Sequence, residues 1–262
     1  MMDVNHWFNP KSAKAQELKK RFGKLSEEEQ EAAAAALYNG ACGLAMTGSA
    51  KEAFAFLKEA FDSNLSDSGL SDGELLDQDT DLVSVRALPE FAVWRKDLDK
   101  TLKARAQEKV AKELAEFKTY PFDFALSGLD GNTTKLADFQ GKVVIVDIWG
   151  TWCPPCRAEI PSFIKLQSTY GEKGFAVVGL NYERGEGDEV VQKIKDFMKE
   201  NKMNYTCLIG DTDTRKQVPD FQGYPTTLFI DRTGKVRLQF VGLHPYSTLE
   251  VVVTKLLNEP KP

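Results

Sequence analysis

Three segments in close succession constrain this chain most: the apolar run Val143-Val144-Ile145-Val146, the pair in Trp152-Cys153-Pro154-Pro155-Cys156, and the amphipathic stretch Arg157 to Tyr170. The length and β-branching of the first read as a buried strand, and the periodicity of the last reads as a helix, so the cysteines are predicted at a strand-to-helix turn. There the unpaired backbone N–H groups and the helix dipole favour a thiolate on the first cysteine. Two thiols separated by two residues can close into a small ring and reopen, which is two-electron chemistry. Cys153 is the predicted nucleophile, forming a mixed disulfide that Cys156 then resolves.

Cys-x-x-Cys also occurs in zinc sites, which need four ligands. Here the other cysteines, Cys42 and Cys207, stand alone in sequence, and the only histidines are His6 and His244. That inventory argues for redox over metal. Cys42 and Cys207 read as buried packing thiols.

Residues at fixed distances from the pair resemble the thioredoxin superfamily. Asp147 matches its buried acid at the end of the central strand, Trp149 and Trp152 its two tryptophans, and Pro161 the proline of its active-site helix. Gly223-Tyr224-Pro225-Thr226 matches the segment whose proline is cis and packs against the cysteines, and Val241-Gly242 matches the end of the last strand. Gly179 stands where thioredoxins pair a lysine with the acid, and Pro154-Pro155 replaces Gly-Pro. The runs Leu136 to Lys142 and Cys156 to Pro161 narrow the resemblance to TlpA/ResA-type thiol-disulfide oxidoreductases over about residues 119–262.

The resemblance implies an α/β thioredoxin fold, a mixed central sheet flanked by helices. It implies a catalytic set of Cys153, Cys156, Asp147 and Pro225 and a substrate surface of Trp152, Pro154, Pro155, Tyr224 and Thr226. It also implies a protein thiol or disulfide as substrate, an upstream thiol protein as electron donor, and no bound cofactor. Burial of Asp147 would raise its pKa and suit it to relay the proton of Cys156. His244, in the loop bordering the same surface, is placed to titrate near the site. Arg157 and Glu159 read as a solvated helix face.

Length and charge bound the remainder. The chain has 262 residues, 42% hydrophobic and 28% charged, with a net charge of -5. That composition suits two globular domains and supplies no basic stripe for nucleic acid. No run approaches the ~20 apolar residues of a membrane span. The start Met1-Met2-Asp3-Val4-Asn5-His6 has no apolar signal core, which taken literally means cytoplasm. The resemblance points instead to the periplasm or another extracytoplasmic site, with the doubled methionine replacing a removed signal or anchor.

Residues 1–118 read as a separate all-α domain. Ser26 and Glu29 form a capping-box pattern before a helix from Glu27 to Met46, and Lys51 to Phe61 makes the second arm of a hairpin. Leu37, Gly40, Ala41, Leu44, Ala53, Leu57 and Ala60 resemble the spacing of a tetratricopeptide repeat. One repeat cannot bury its own apolar face, so helices from Lys11 to Arg21 and from Pro89 to Phe117 are predicted to help. Asp62 to Asp81, with seven acidic residues and no basic one, reads as a solvated loop.

The leading function is reduction of protein disulfides. The opposite direction, oxidase or isomerase, stays open because it depends on the pair's potential. So does a partner-recruiting helical module with an accessory redox domain. Peroxide reduction is disfavoured, because the proline and hydroxyl residue that precede a peroxidatic cysteine are absent around Cys153.

Overall fold

The computed structural model describes residues 26–62, 73–185 and 187–260. The expected helix from Lys11 to Arg21 lies outside them. Packing divides the chain into two compact units between Arg105 and Ala106.

In the first unit, α1 (Glu27–Met46) begins at the Ser26 capping box: the Ser26 hydroxyl accepts the Glu29 N–H at 3.3 Å, and Glu29 accepts the Ser26 N–H at 2.8 Å. After a turn at Gly48, whose φ of +87° suits glycine, α2 (Ala50–Asp62) folds back. The small residues Ala41, Ala45, Ala53 and Ala60 are buried in this hairpin. Its core is completed by Leu76 of α3 (Gly73–Gln78), Leu82 of the 3-10 turn Thr80–Leu82, Val85 of α4 (Val83–Arg86), and Phe91, Leu98 and Leu102 of α5 (Pro89–Glu116).

The acidic stretch is therefore not wholly a solvated loop. Leu76 and Leu82 carry its second half into the apolar core. Asp79 is drawn in with them: its carboxylate accepts the Tyr38 hydroxyl at 2.5 Å and the Asp81 N–H at 2.9 Å, and the Cys42 thiol donates from 3.7 Å.

The second unit begins inside α5, not at residue 119. Val110 is buried there, with Ala106, Leu114 and Phe117 packed around it, so the last turns of this helix belong to the second core. The six-stranded sheet has the order β1 (Tyr120–Pro121), β8 (Lys235–Val241), β7 (Thr226–Ile230), β4 (Val143–Trp149), β5 (Phe175–Asn181), β6 (Thr206–Ile209). The strands β4, β5 and β6 run parallel, and β7 pairs antiparallel to β4 and to β8.

All seven residues of β4 are buried, as a central strand covered on both faces requires. On one face, Val143 and Ile145 pack with Phe163 and Leu166 of α6 (Pro154–Tyr170) and with Leu249, Val252 and Leu256 of α9 (Tyr246–Asn258). On the other, Val144, Val146 and Ile148 meet Phe122, Phe124, Leu126 and Leu136, contributed by the hairpin of β2 (Ala125–Ser127) and β3 (Thr133–Lys135) and its flanks. Two more helices complete the unit, α7 (Asp188–Glu200) and α8 (Thr212–Lys216).

Candidate active site

The parallel strand β4 delivers the chain to the start of α6, and Cys153 is the N-cap of that helix. Cys153 and Cys156 are joined by a disulfide, and the Cys153 sulfur accepts the Cys156 N–H at 3.3 Å. Pro154 and Pro155 occupy the first two helical positions and are exposed. Neither has an N–H, so two of the amides that a helix N-terminus normally offers an anion are missing. The pair packs with Trp149, Ile160, Ile194 and Cys207, and Trp152 and Tyr224 lie against the same cluster.

Asp147 is fully buried, at 0% exposure, and both its oxygens lack a hydrogen-bond partner. It faces Gly179 across β5 and Thr227 across β7. A side chain at Gly179 would begin 2.8 Å from the Trp149 indole nitrogen, so the tryptophan occupies the room a longer residue would need. Burial pushes the Asp147 carboxyl well above the usual carboxylate range. Burial therefore favours its protonated form.

Glu159 corrects the sequence reading. It is 1% exposed, and Oε1 accepts the His244 N–H at 2.9 Å. Burial and then repulsion from the neighbouring Asp147 carboxyl raise its pKa well above the usual range, against the opposing bond from the His244 N–H. The signal was present: Cys156, Glu159, Ile160 and Phe163 recur at helical spacing and are all buried. Assigning a carboxylate to the solvent side overrode that stripe. Arg157 is exposed, as read. The His244 ring stacks on Phe240 with centroids 4.2 Å apart, and Nδ1 lies 3.0 Å from the Gly242 carbonyl. Burial lowers its pKa, so the ring stays neutral near neutral pH.

The Tyr224–Pro225 peptide is cis, and the Pro225 carbonyl accepts the Gly242 N–H at 2.9 Å. Tyr224 is half-buried; its ring meets Trp152 at 5.1 Å and Phe221 at 5.3 Å, and its hydroxyl accepts from Arg215 at 2.7 Å. Thr226 is a second correction. It is 0% exposed, because its hydroxyl turns inward to the Gly223 carbonyl at 2.6 Å, and it forms no part of the outer surface.

Cys42 and Cys207 are buried thiols. Burial and then Asp147 push Cys207 up to about 12, and burial and then Asp79 push Cys42 up to about 12. Neither is a nucleophile at neutral pH. Among the described residues, the group of potential metal ligands that lie close together is Cys42, Asp79 and Asp81. Tyr38, Cys42 and the Asp81 amide already engage both oxygens of Asp79, which marks a structural cluster.

A strand feeding a cysteine-capped helix, a cis-proline segment beside it and a fully buried acid on that strand define a thioredoxin-like redox site. Residues 118–239 match the AhpC/TSA family. The chain is 31% identical over 134 residues to the thiol-disulfide oxidoreductase ResA of Bacillus thuringiensis, covering 51% of this chain and 75% of that protein. It is 34% identical over 120 residues to the thioredoxin-like protein YneN of Bacillus subtilis, covering 46% of this chain and 68% of that protein. A solved thiol:disulfide interchange protein from Chlorobium tepidum aligns over 55% of this chain and 99% of its own, with 27% identity and a TM-score of 0.48. The chain belongs to the ResA-type thiol-disulfide oxidoreductases of the thioredoxin-like family, and it is a thiol-disulfide oxidoreductase.

Proposed function

We propose that the protein reduces protein disulfides, with Cys153 attacking and Cys156 resolving. The observation that carries this reading is position on the helix: Cys153 is the N-cap of α6, where the helix dipole favours a thiolate, whereas Cys156 lies one turn inside it; both sulfurs are buried, at 3% and 1% exposure. The Cys153 thiolate attacks one sulfur of the partner's disulfide, and the partner's other sulfur leaves as a thiolate and takes a proton. Cys156 then attacks the Cys153 sulfur, the bond to the partner breaks, and the partner departs with both its sulfurs reduced. Two electrons have moved to the partner, and the pair is left oxidised.

A donor dithiol restores the pair by attacking Cys153, which expels the Cys156 sulfur as a thiolate. Asp147, whose burial favours its protonated form, supplies the proton in this reading. In the next cycle its carboxylate takes the proton back as Cys156 attacks. Pro225, without an N–H, keeps a competing donor away from the sulfurs. Trp152, Pro154, Pro155 and Tyr224 form the outer face against which an extended substrate lies.

The natural donor in this reading is another thiol protein, and the site of action is extracytoplasmic, where disulfides persist; among the described residues no helix is long and apolar enough to cross a membrane. The helical unit, resembling a tetratricopeptide hairpin, recruits a protein partner. If so, residues 106–262, once shown to be folded, lose activity toward the native partner but keep it toward a small disulfide. Equal activity toward both removes the recruiting role.

The reduction potential tests the direction. The full chain is equilibrated in graded dithiol buffers and its alkylated thiols are counted. A value near the roughly -270 mV of thioredoxin supports a reductase; one near the roughly -120 mV of DsbA makes the protein a disulfide donor. Cys153→Ser is expected to abolish exchange, and retained exchange would refute the assignment of the nucleophile.

A further inference from the structure

Three consecutive residues after β5 each grip the loop that carries the cysteines. The Tyr182 N–H donates to the Trp149 carbonyl at 2.8 Å, and the Tyr182 carbonyl accepts the Trp152 indole N–H at 3.0 Å. Glu183 Oε2 accepts the Thr151 hydroxyl at 2.6 Å and the Thr151 N–H at 3.2 Å. Arg184 lays its guanidinium over the Trp152 ring, 4.7 Å from the centroid. Gly150 lets the indole fold back, since a Cβ there would come within 2.5 Å of the Trp152 indole nitrogen.

Glu183 is the charged member of this clamp. Its side chain is 1% exposed, and Oε1 accepts Lys193 Nζ of α7 at 2.9 Å and the Arg184 N–H at 3.2 Å. Burial opposes its ionisation, but the bonds from Thr151, Lys193 and the Arg184 amide outweigh that and hold the carboxyl below its ordinary value. A carboxylate is thus fixed on Thr151, two residues before the sulfur that must become a thiolate. Its partner Lys193 is half exposed, so water and salt weaken the compensation. Burial pushes Asp147 and Glu159 the other way, toward their protonated forms.

We propose that Glu183 is a positioning residue that sets the acidity of the Cys153 thiol and the potential of the Cys153–Cys156 pair, by fixing Thr151 and placing a negative charge beside the loop. This rests on the reading of Cys153 and Cys156 as the working pair. A nearby anion disfavours the thiolate, and destabilising the reduced form makes the pair harder to reduce. The step itself is unchanged: a dithiol donor gives two electrons and two protons to the disulfide and becomes a disulfide, and Glu183 shifts only the equilibrium.

The test equilibrates the full chain, Glu183→Gln and Lys193→Met with dithiothreitol and follows thiolate absorbance against pH in the reduced proteins. Glu183→Gln is expected to make the pair about tenfold easier to reduce, equivalent to about 30 mV, and to lower the Cys153 pKa. Lys193→Met, which unmasks the carboxylate, is expected to shift both quantities the opposite way. Unchanged values in Glu183→Gln, or shifts of the same sign in both variants, overturn the proposal. If Glu183→Gln fails to fold, Lys193→Met decides alone: a reverse shift supports the clamp and no shift overturns it. A parent pair that does not exchange at all defeats the reading of the pair and the clamp with it, whereas an active parent matched by its variants defeats only the clamp.

Discussion

Asp79 in the helical unit and Asp147 in the redox unit are both aspartates drawn inward beside a buried cysteine, yet they are driven in opposite directions. Burial acts to raise the pKa of each. At Asp79 the Tyr38 hydroxyl, the Asp81 amide and the Cys42 thiol outweigh burial, and the carboxyl stays below its ordinary range. At Asp147 no donor reaches either oxygen, and burial prevails. A carboxylate with partners is a structural acceptor; one without them is pushed toward its protonated form, which is what the proposed proton relay at Asp147 requires. The two differ both in donors and in depth, since Asp147 is fully buried and Asp79 only partly so, and the two factors act in the same direction.

The comparison can be broken most directly at Asp147. Asp147→Asn should stabilise the oxidised full chain by about 3 kcal/mol near neutral pH, because a lone buried carboxyl is replaced by a group that never ionises. The folded-state pKa is raised, so the parent loses stability as pH rises above the unfolded carboxyl's ordinary value of about 4, and the variant's advantage shrinks as pH falls toward it. The same substitution should slow disulfide exchange about 10²-fold. Equal rates for parent and variant across about pH 6 to 9, a range bracketing thiol titration, would remove Asp147 from the mechanism.

At Asp79 the sign reverses. Asp79→Ala is expected to cost about 1.5 kcal/mol of helical-unit stability, a figure reduced for partial solvent screening. Since the folded pKa is lowered, that contribution is present above the ordinary carboxylate range and lost as pH falls through it. Denaturant titrations at low and neutral pH check both statements, and a stabilised variant would contradict them.

Glu159→Gln sharpens the contrast. The amide keeps an acceptor for the His244 N–H, so the expected gain is smaller, about 1 kcal/mol near neutral pH, and a loss of stability would show that Glu159 folds as a paired carboxylate. Ser26→Ala, which removes only an exposed cap, should cost about 0.5 kcal/mol as read by the melting of the helical unit.

Much of the redox site was legible in the chain. The β-branched run ending in Asp147 and the pair Cys153 and Cys156 form short motifs whose local conformations follow from residue type, while the cis bond before Pro225 was expected only from the family resemblance. Residues whose environment depends on distant partners were harder to place. Glu159 was misassigned because a carboxylate suggests solvent, although its position on the Cys156–Ile160–Phe163 stripe faces the core. Thr226 was misassigned because a motif does not say which way a hydroxyl turns. In the helical unit the capping box and hairpin were readable, but the ordered half of the acidic stretch was not, because Leu76 and Leu82 gain burial only from a core assembled from α1, α2, α4 and α5.

By itself the sequence determined where the chemistry sits: two thiols at the first turn of a helix, an acid ending an apolar strand, and a proline before the next strand. These depend on spacing and backbone preference, which are local. Tertiary structure decided which way the pKa of each acid moves. Asp147 is stripped of donors by its neighbours on β5 and β7, Asp79 is supplied with them by α1, and Glu183 is held ionised on the redox loop by Thr151 and Lys193. Hydrogen-bond donors and solvent access are contributed by residues far apart in the chain, and only the folded packing brings them together.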